Sequence, residues 1–469
     1  PMSRKMKNKV ITNLLIERIA SEGKCLGHHE EKVVFVTGVA PGDVVDVRIT
    51  KGKSSFMEGE PVNFHEYSKE RIDPFCSHFG TCGGCKWQHI NYDLQKTYKR
   101  QQVLDQFQRI AKVEIPEVMP TLGSEKTRYY RNKLDFTFSN KKWLTVEQIQ
   151  SGEDFDRSAL GFHIPKMFDK IVDVDHCYLQ GNISNDVRNE LRTFALANGL
   201  TFYDIRGQVG LLRNLIIRTT STEQSMVIVQ FGEDDPEGIQ KVMEFLNEKF
   251  PQITSLLYVI NTKGNETFHD LDLVTFSGND FIEEEMEGLR FRIGPKSFYQ
   301  TNSEQAYELY KVARDFADLQ GDEVVYDLYT GTGTIANFVA KKAKQVIGIE
   351  YVPAAIEDAK INSQINGIDN TLFYAGDMKD MLNDEFIANH AAPDLIITDP
   401  PRAGMDEKVV QMLLRLNAPK IVYVSCNPAT QARDVALLSE KYKVEKIQPV
   451  DMFPQTYHVE NVVLLTLKS

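Results

Sequence analysis

The chain has 469 residues, 42% of them hydrophobic and 26% charged, with 54 basic against 66 acidic side chains, a formal net charge of −12 and six cysteines. At roughly 150 residues per domain, this length suggests about three domains, and a composition near the soluble average excludes a disordered, collagen-like or disulfide-stapled chain. No run of about 18 apolar residues exists, which argues against a membrane-spanning helix. The amino end is basic (Arg4, Lys5, Lys7, Lys9), but the following apolar stretch is broken by Asn13, Glu17 and Arg18. That is unlike a signal peptide, so a reducing cytoplasm is expected. The negative total argues at first sight against a nucleic-acid partner. It hides a gradient: residues 1–150 sum to +6 and the remainder to −18. A basic front and an acidic back suggest a polyanion-facing part joined to something else.

Residues 10–65 read as short strands with turns, among them Val33–Val36 and the alternating Val44–Ile49, separated by Pro41-Gly42-Asp43. This punctuation predicts a small, OB-like β-barrel over 1–66, of a kind that often binds oligonucleotides. Residues 67–90 are irregular and hold three cysteines. The spacing of Leu94, Val103, Leu104, Phe107 and Ile110 predicts an amphipathic helix over about 91–112, a candidate to pack on the carboxyl-terminal domain. The rest of 67–297 mixes helices and strands, with buried strands at 227–229 and 256–260, as a central α+β domain.

From about 322 the pattern is regular. Apolar strands at 324–326, 346–349, 372–374, 395–397 and 421–424 alternate with helices, and two more strands follow at about 443–448 and 459–467. The pattern predicts a doubly wound parallel sheet in a Rossmann-like domain over 298–469, making the whole a multidomain α/β protein. In such sheets ligands bind beyond the carboxyl ends of the strands. Asp327, Glu350, Asp377, Asp399 and Cys426 all stand at such ends.

Asp327-Leu-Tyr-Thr-Gly331-Thr-Gly333-Thr-Ile-Ala336 joins the first strand to a helix, and its glycines let a ligand approach the backbone. The spacing also fits a dinucleotide, so an NAD oxidoreductase competes. Asp327 favours S-adenosylmethionine, because a carboxylate suits a cationic amino-acid portion and repels a diphosphate. Glu350 would accept ribose hydroxyls from either. Asp399-Pro400-Pro401 is followed by Arg402 where amino-group methyltransferases carry an aromatic residue, which argues against an exocyclic amine as target. Cys426 precedes a helix start at Pro428, where the helix dipole favours a thiolate. A thiolate adding to pyrimidine C6 turns C5 into a nucleophile, and a base must then take the C5 proton. Glu460, at the start of the last strand, is the candidate base. Cys76, Cys82 and Cys85, with Cys177 further on, form a thiol set suited to [4Fe–4S] or zinc. Cys25 lies outside the pattern.

Over nearly its whole length the chain resembles the RNA uracil-5-methyltransferases of the RumA/TrmA type. Ser425-Cys426-Asn427-Pro428 is similar to the family's nucleophile motif and Glu460 to its base. The resemblance implies a TRAM barrel that binds RNA, a [4Fe–4S] cluster on Cys76, Cys82, Cys85 and Cys177, and a Rossmann-like catalytic domain. It further implies 23S ribosomal RNA of the large subunit as substrate, since the tRNA branch lacks barrel and cluster. Phe298-Tyr299-Gln300-Thr301-Asn302 is similar to a segment whose glutamine contacts the methyl donor. Gln300, Tyr329, Glu350 and Asp399 are therefore implied contacts, with Asp377 near the adenine and Asp327, Gly331, Gly333 and Thr334 completing the cofactor site. Arg128-Tyr129-Tyr130-Arg131-Asn132-Lys133 also resembles a family segment. Its cations (Arg128, Arg131, Lys133) suit phosphate contact and its aromatics base stacking, while Phe298 is expected beside the flipped uridine. A monomer without membrane contact is expected. Other readings are a tRNA uracil-5 enzyme, an RNA cytosine-5 enzyme, which would carry a second cysteine near Asp399, and a catalytically silent ribosome assembly factor.

Overall fold

The computed structural model describes residues 9–469. Strands β1 (Val10–Leu15), β2 (Arg18–Ile19), β3 (Cys25–His29), β4 (Lys32–Val36), β5 (Val44–Gly52) and β6 (Phe56–Glu66) form one sheet in the order β1-β5-β6-β4-β3-β2. Alternate residues of these strands (Val34, Val36, Val45, Val47, Ile49) turn inward to a small core, as the period of two requires.

The irregular segment 67–91 leads to helix α1 (Tyr92–Gln106), which Asn91 caps by accepting the N–H of Leu94 at 2.9 Å. A π-helical turn, Phe107–Ala111, continues it. Val103, Phe107 and Ala111, spaced by four, lie on one stripe and are buried among Tyr326, Ile349, Val409 and Val435 of the last domain. Ile110 falls off that stripe and is exposed. Beyond the turn, Val118 and Leu122 pair with Ile447 and Val450, so this amino-terminal segment also lines the far sheet's edge.

The central unit is a seven-stranded sheet, order β13-β12-β11-β10-β7-β8-β9, from β7 (Lys133–Ser139), β8 (Ala159–Ile164), β9 (Met167–Asp173), β10 (Leu212–Thr219), β11 (Ser225–Phe231), β12 (Ser255–Ile260) and β13 (Val274–Gly278). Helix α2 (Val146–Ser151) is peripheral, while α3 (Ser184–Ala197) and α4 (Pro236–Lys249) join through stacked Phe194 and Phe245. The hairpin β14 (Ile282–Met286) and β15 (Leu289–Ile293) lies in one continuous core with the last domain and with Ile216, Met226, Ile228, Leu257 and Val259 of this sheet. The core therefore does not break at the expected boundary, residue 298: Ile282, Phe291 and Ile293 also pack against α5 (Ser303–Ala317) and the strands beyond.

Those strands are β16 (Val324–Leu328), β17 (Gln345–Glu350), β18 (Thr371–Ala375), β19 (Leu395–Thr398), β20 (Lys420–Ser425), β21 (Tyr442–Val450) and β22 (Glu460–Leu467), in the order β18-β17-β16-β19-β20-β22-β21. Between them run α6 (Thr334–Ala340), α7 (Pro353–Ile365), α8 (Met378–Met381), α9 (Asp384–Asn389), α10 (Glu407–Leu416) and α11 (Pro428–Leu438). Six strands run in one direction, but β22 runs antiparallel to its neighbours β20 and β21, which corrects the all-parallel expectation. The last two strands need only a loop between them, and a parallel pair would need a crossover helix.

Candidate active site

The antiparallel β22 decides which side chains meet. Ser425, the last residue of β20, pairs with Asn461, so Cys426 and Glu460 continue that ladder by one step at the carboxyl edge of the sheet. Asn427 caps α11 by accepting the N–H of Ala429 at 3.1 Å, and its Nδ2 donates to Arg402 O at 2.9 Å. That bond ties the Cys426 turn to the Asp399-Pro400-Pro401 turn after β19. Gln431 of α11 donates to Tyr423 O and Asn461 O, locking β20 to β22 just behind the pair.

Beside this pair lies the glycine turn after β16. Gly331 and Gly333 have φ of +56° and +72°, a region costly for other residues. A Cβ on Gly333 would press to 2.8 Å from Ala359, whereas one on Gly331 would meet nothing within 4 Å, so open space faces that residue. Gly331 N donates to Glu350 Oε2 at 3.0 Å, and Val352 N to Oε1 at 3.1 Å, which fixes the carboxylate at the end of β17. Thr330 Oγ1 donates to Asp327 at 2.5 Å. Tyr329 also has positive φ (+61°) and lies half-buried against the core, while Thr334 is buried as the first residue of α6. Asp377 caps α8 and pairs with Lys379 at 3.4 Å.

The electrostatics are those of crowded acids in a dry place. Burial pushes the Asp327 carboxyl up to about 7, with the charge of Glu350 adding to it. Burial and Asp327 push Asp399 up to about 7 as well, and burial plus Asp399 raise Glu460 well above the usual carboxylate range. The Cys426 thiol is pushed up to about 11 by burial and by the charges of Glu460 and Asp399, against a smaller opposing effect of Arg402. The expected helix-dipole thiolate is thereby corrected. Burial, and after it two carboxyl groups from other strands, outweigh the dipole. Tyr310, buried in α5, faces the same three acids, and its own ionisation is suppressed by burial and by their charge.

Gln300 is half-buried, and its segment is clamped from the central unit: Asn132 Nδ2 donates to Gln300 O at 2.8 Å and Asn132 N to Thr301 O at 2.7 Å. Phe298 is 69% exposed at the mouth of the site. Around it the segment 128–133 divides. Arg128 and Tyr129 are exposed, with Arg128 stacked 3.9 Å above Phe75, and Arg131 lies over Phe453 at 5.4 Å. Tyr130 and Asn132 are buried, and Lys133 is half-buried in β7, where burial and the neighbouring Arg218 lower its affinity for a proton. The expected phosphate role therefore fits Arg128 and Arg131 better than Lys133. Sequence reasoning missed Asn132, Tyr310 and the exposed apolar pair Tyr351 and Val352 after Glu350. Only the last pair had a signal, as apolar residues just past a strand-end acid.

Cys76, Cys82, Cys85 and Cys177 line one cavity with Phe79, Phe162, Val174 and Leu179. Among the described residues, no group of three or more His, Cys, Asp or Glu side chains is placed to hold a metal ion, the four cysteines included. Burial holds the thiols of Cys82 and Cys85 up at about 11 and 12. N–H groups nevertheless aim at sulfur: Gly84 N reaches Cys82 Sγ at 3.4 Å, and the backbones of Leu179 and Gln180 address Cys177. Arg188, fully buried, is a cation whose charge acts on Cys177, and its Nη1 has no hydrogen-bond partner.

Comparison with known proteins follows the same division. Residues 274–468 match the family model described as tRNA (uracil-5-)-methyltransferase, and residues 4–62 match the TRAM domain. An uncharacterized RNA methyltransferase of Bacteroides thetaiotaomicron is 58% identical over 96% of this chain and 100% of its own. One of Chlorobaculum tepidum is 40% identical over 96% of this chain and 95% of its own. Among solved structures, the Pyrococcus abyssi tRNA (uracil-54, C5)-methyltransferase in complex with S-adenosyl-L-homocysteine superposes with a TM-score of 0.74 at 28% identity, covering 97% of this chain and all of that one. The chain belongs to the S-adenosylmethionine-dependent RNA uracil-5-methyltransferase family.

Proposed function

We propose that this protein methylates C5 of a specific uridine in 23S ribosomal RNA, in the cytoplasm, with Cys426 as nucleophile and Glu460 as base. The observation that carries this reading is the meeting of Cys426, Glu460 and Asp399 at one sheet edge, beside a glycine turn with an acid before it. When bound, S-adenosylmethionine supplies an electrophilic methyl group. Asp327, Tyr329, Glu350, Asp377 and Gln300 would hold it, and its positive charge would relieve the crowding of Asp327 with Glu350. Cys426 gives its proton to solvent, the thiolate forms a bond to C6, and the C5–C6 electron pair moves into an enolate. C5 then takes the methyl, whose former bonding pair stays with the donor's sulfur. Glu460 accepts the C5 proton, the double bond re-forms and the C6–S bond breaks, returning the thiolate. A buried carboxyl with a raised pKa is the stronger base for that proton. Asp399 would hold the polar edge of the uracil, and Phe298, Arg128 and Arg131 would receive RNA at the mouth.

Cys426→Ala should abolish methylation, and Glu460→Gln should accumulate a covalent RNA–protein complex stable in a denaturing gel. Normal turnover by the first variant would refute the mechanism. Mapping of 5-methyluridine by mass spectrometry, in rRNA and tRNA from cells with and without the gene, identifies the substrate. Loss of a 23S site supports the proposal. A tRNA uridine is the second reading, favoured by the full-length likeness to the Pyrococcus abyssi tRNA enzyme.

We further propose that Cys76, Cys82, Cys85 and Cys177 hold a [4Fe–4S] cluster. An all-thiol set with N–H groups on sulfur and a buried arginine would suit an anionic centre of this kind. Zinc is the alternative, and a visible absorption spectrum of anaerobically purified protein separates the two.

A further inference from the structure

The connection between β21 and β22, residues 451–459, has no role in the chemistry above. Yet its backbone carbonyls are met, one after another, by donors from distant parts of the chain. Asn302 Nδ2 donates to Met452 O at 3.0 Å, Lys99 Nζ to Phe453 O at 3.1 Å and Tyr130 Oη to Pro454 O at 2.8 Å. The N–H groups of Lys86 and Trp87 both donate to Gln455 O, at 2.8 and 3.0 Å. Asp451, fully buried, takes Lys99 Nζ at 2.6 Å and Tyr92 Oη at 2.8 Å, and Lys99 is itself fully buried. Such a pair adds little net stability in a dry interior but admits few geometries.

Gln455 stands at φ +71°, in the left-handed region that side chains rarely enter. Gln95 of α1 holds it there by a reciprocal clamp. Gln95 Oε1 accepts from Gln455 N, and Gln95 Nε2 donates to Gln455 Oε1, each at 3.0 Å. The same Nε2 reaches Trp87 O and Ile90 O at 3.0 Å. The donors therefore come from α1, from the segment just after Cys85, from Tyr130 and from the Gln300 segment, and none belongs to the strands beside β22. Five residues beyond Gln455 is Glu460, which enters β22 in the direction this connection gives it.

We propose that Gln95, Gln455 and the Lys99–Asp451 pair are positioning residues that aim the Glu460 carboxylate at C5 of the bound uridine. This rests on the reading of Glu460 as the base. Cys426 is held by the β20–α11 turn and shares with Glu460 only the β20–β22 ladder and its Gln431 lock, so the clamp supports Glu460 and not the thiol. Loss of the clamp should leave addition of Cys426 to C6 intact and slow the later loss of the C5 proton.

The test is a single-turnover experiment on the full-length protein with RNA and S-adenosylmethionine, reading formation and decay of the covalent complex. Gln95→Met should form the complex within about twofold of the wild-type rate and release it about tenfold more slowly, on the scale expected for a small displacement of a reacting group. Gln455→Gly should behave alike and guards against misfolding, because glycine takes the +71° conformation freely and keeps the backbone bonds. Normal release by Gln455→Gly, or an equal fall of both rates, overturns the positioning role. Glu460→Gln run alongside separates the two readings. If it traps no complex, the base assignment itself fails. If it traps while the clamp variants release normally, only the clamp fails.

Discussion

Cys426 is a buried thiol flanked by two acids, and its state depends on theirs. Its titration is pushed up to about 11 by burial and then by Glu460 and Asp399. In the ligand-free protein, alkylation of Cys426 by iodoacetamide, read on its own peptide, should therefore rise only in alkaline solution. Glu460→Gln should move that midpoint down, and an unchanged midpoint would show that the carboxylate does not reach the sulfur. The thiol's identity is legible in Ser425-Cys426-Asn427-Pro428. Its proton state is not, because the acids that govern it come from strands 27 and 34 positions away in the chain. The segment 128–133 teaches the same lesson: an alternation of cations and aromatics looks like one RNA-facing surface, but Tyr130 and Asn132 turn inward to hold Pro454 and Gln300.

At the scale of elements, strand positions were readable from apolar runs bounded by turns, and α1 from its periodicity. Direction was not, since an apolar strand reads alike parallel or antiparallel, and the site depends on that one choice. A parallel β22 would carry Glu460 to the opposite end of the sheet from Cys426. Periodicity also fails to say what a helix packs on. Phe107, fully buried, fills the core beneath Tyr326 and Tyr423. Phe107→Ala should cost about 3–5 kcal/mol, the usual penalty for truncating a core aromatic. Chemical denaturation should show that loss in the unfolding of the methyltransferase domain, although residue 107 lies far upstream of it.

At the scale of the molecule, the acidic surplus after residue 150 is shared by the central unit and the last domain, and the acids of the site belong to the second. Asp327 and Asp399 are raised to about 7 in the folded chain from an ordinary value of 3.8. Between about pH 4 and 7 the native state therefore binds more protons at these groups than the unfolded chain does. Their contribution to stability falls as pH rises through that window. Asp327→Asn should raise the Tm of the ligand-free protein at pH 8, with the gain shrinking toward pH 5, and should abolish binding of S-adenosylmethionine. A gain that does not depend on pH would show that the carboxyl is not held neutral.

The threading of α1 into the last domain has a consequence for how the protein is made. Val103 and Phe107 leave the ribosome roughly 200 residues before Tyr326, the earliest of the last domain's tyrosines in their core, exists to cover them. At about 5–20 residues per second, that is a wait of roughly 10–40 s with an apolar stripe uncovered. The barrel and central sheet can close during synthesis, whereas the catalytic half is completed only by reaching back to a helix already waiting. A carboxyl-terminal fragment expressed alone would lack that helix and the strand-like segment 118–122 on its sheet edge. Such a fragment should aggregate, and supplying residues 91–122 in trans should restore its solubility.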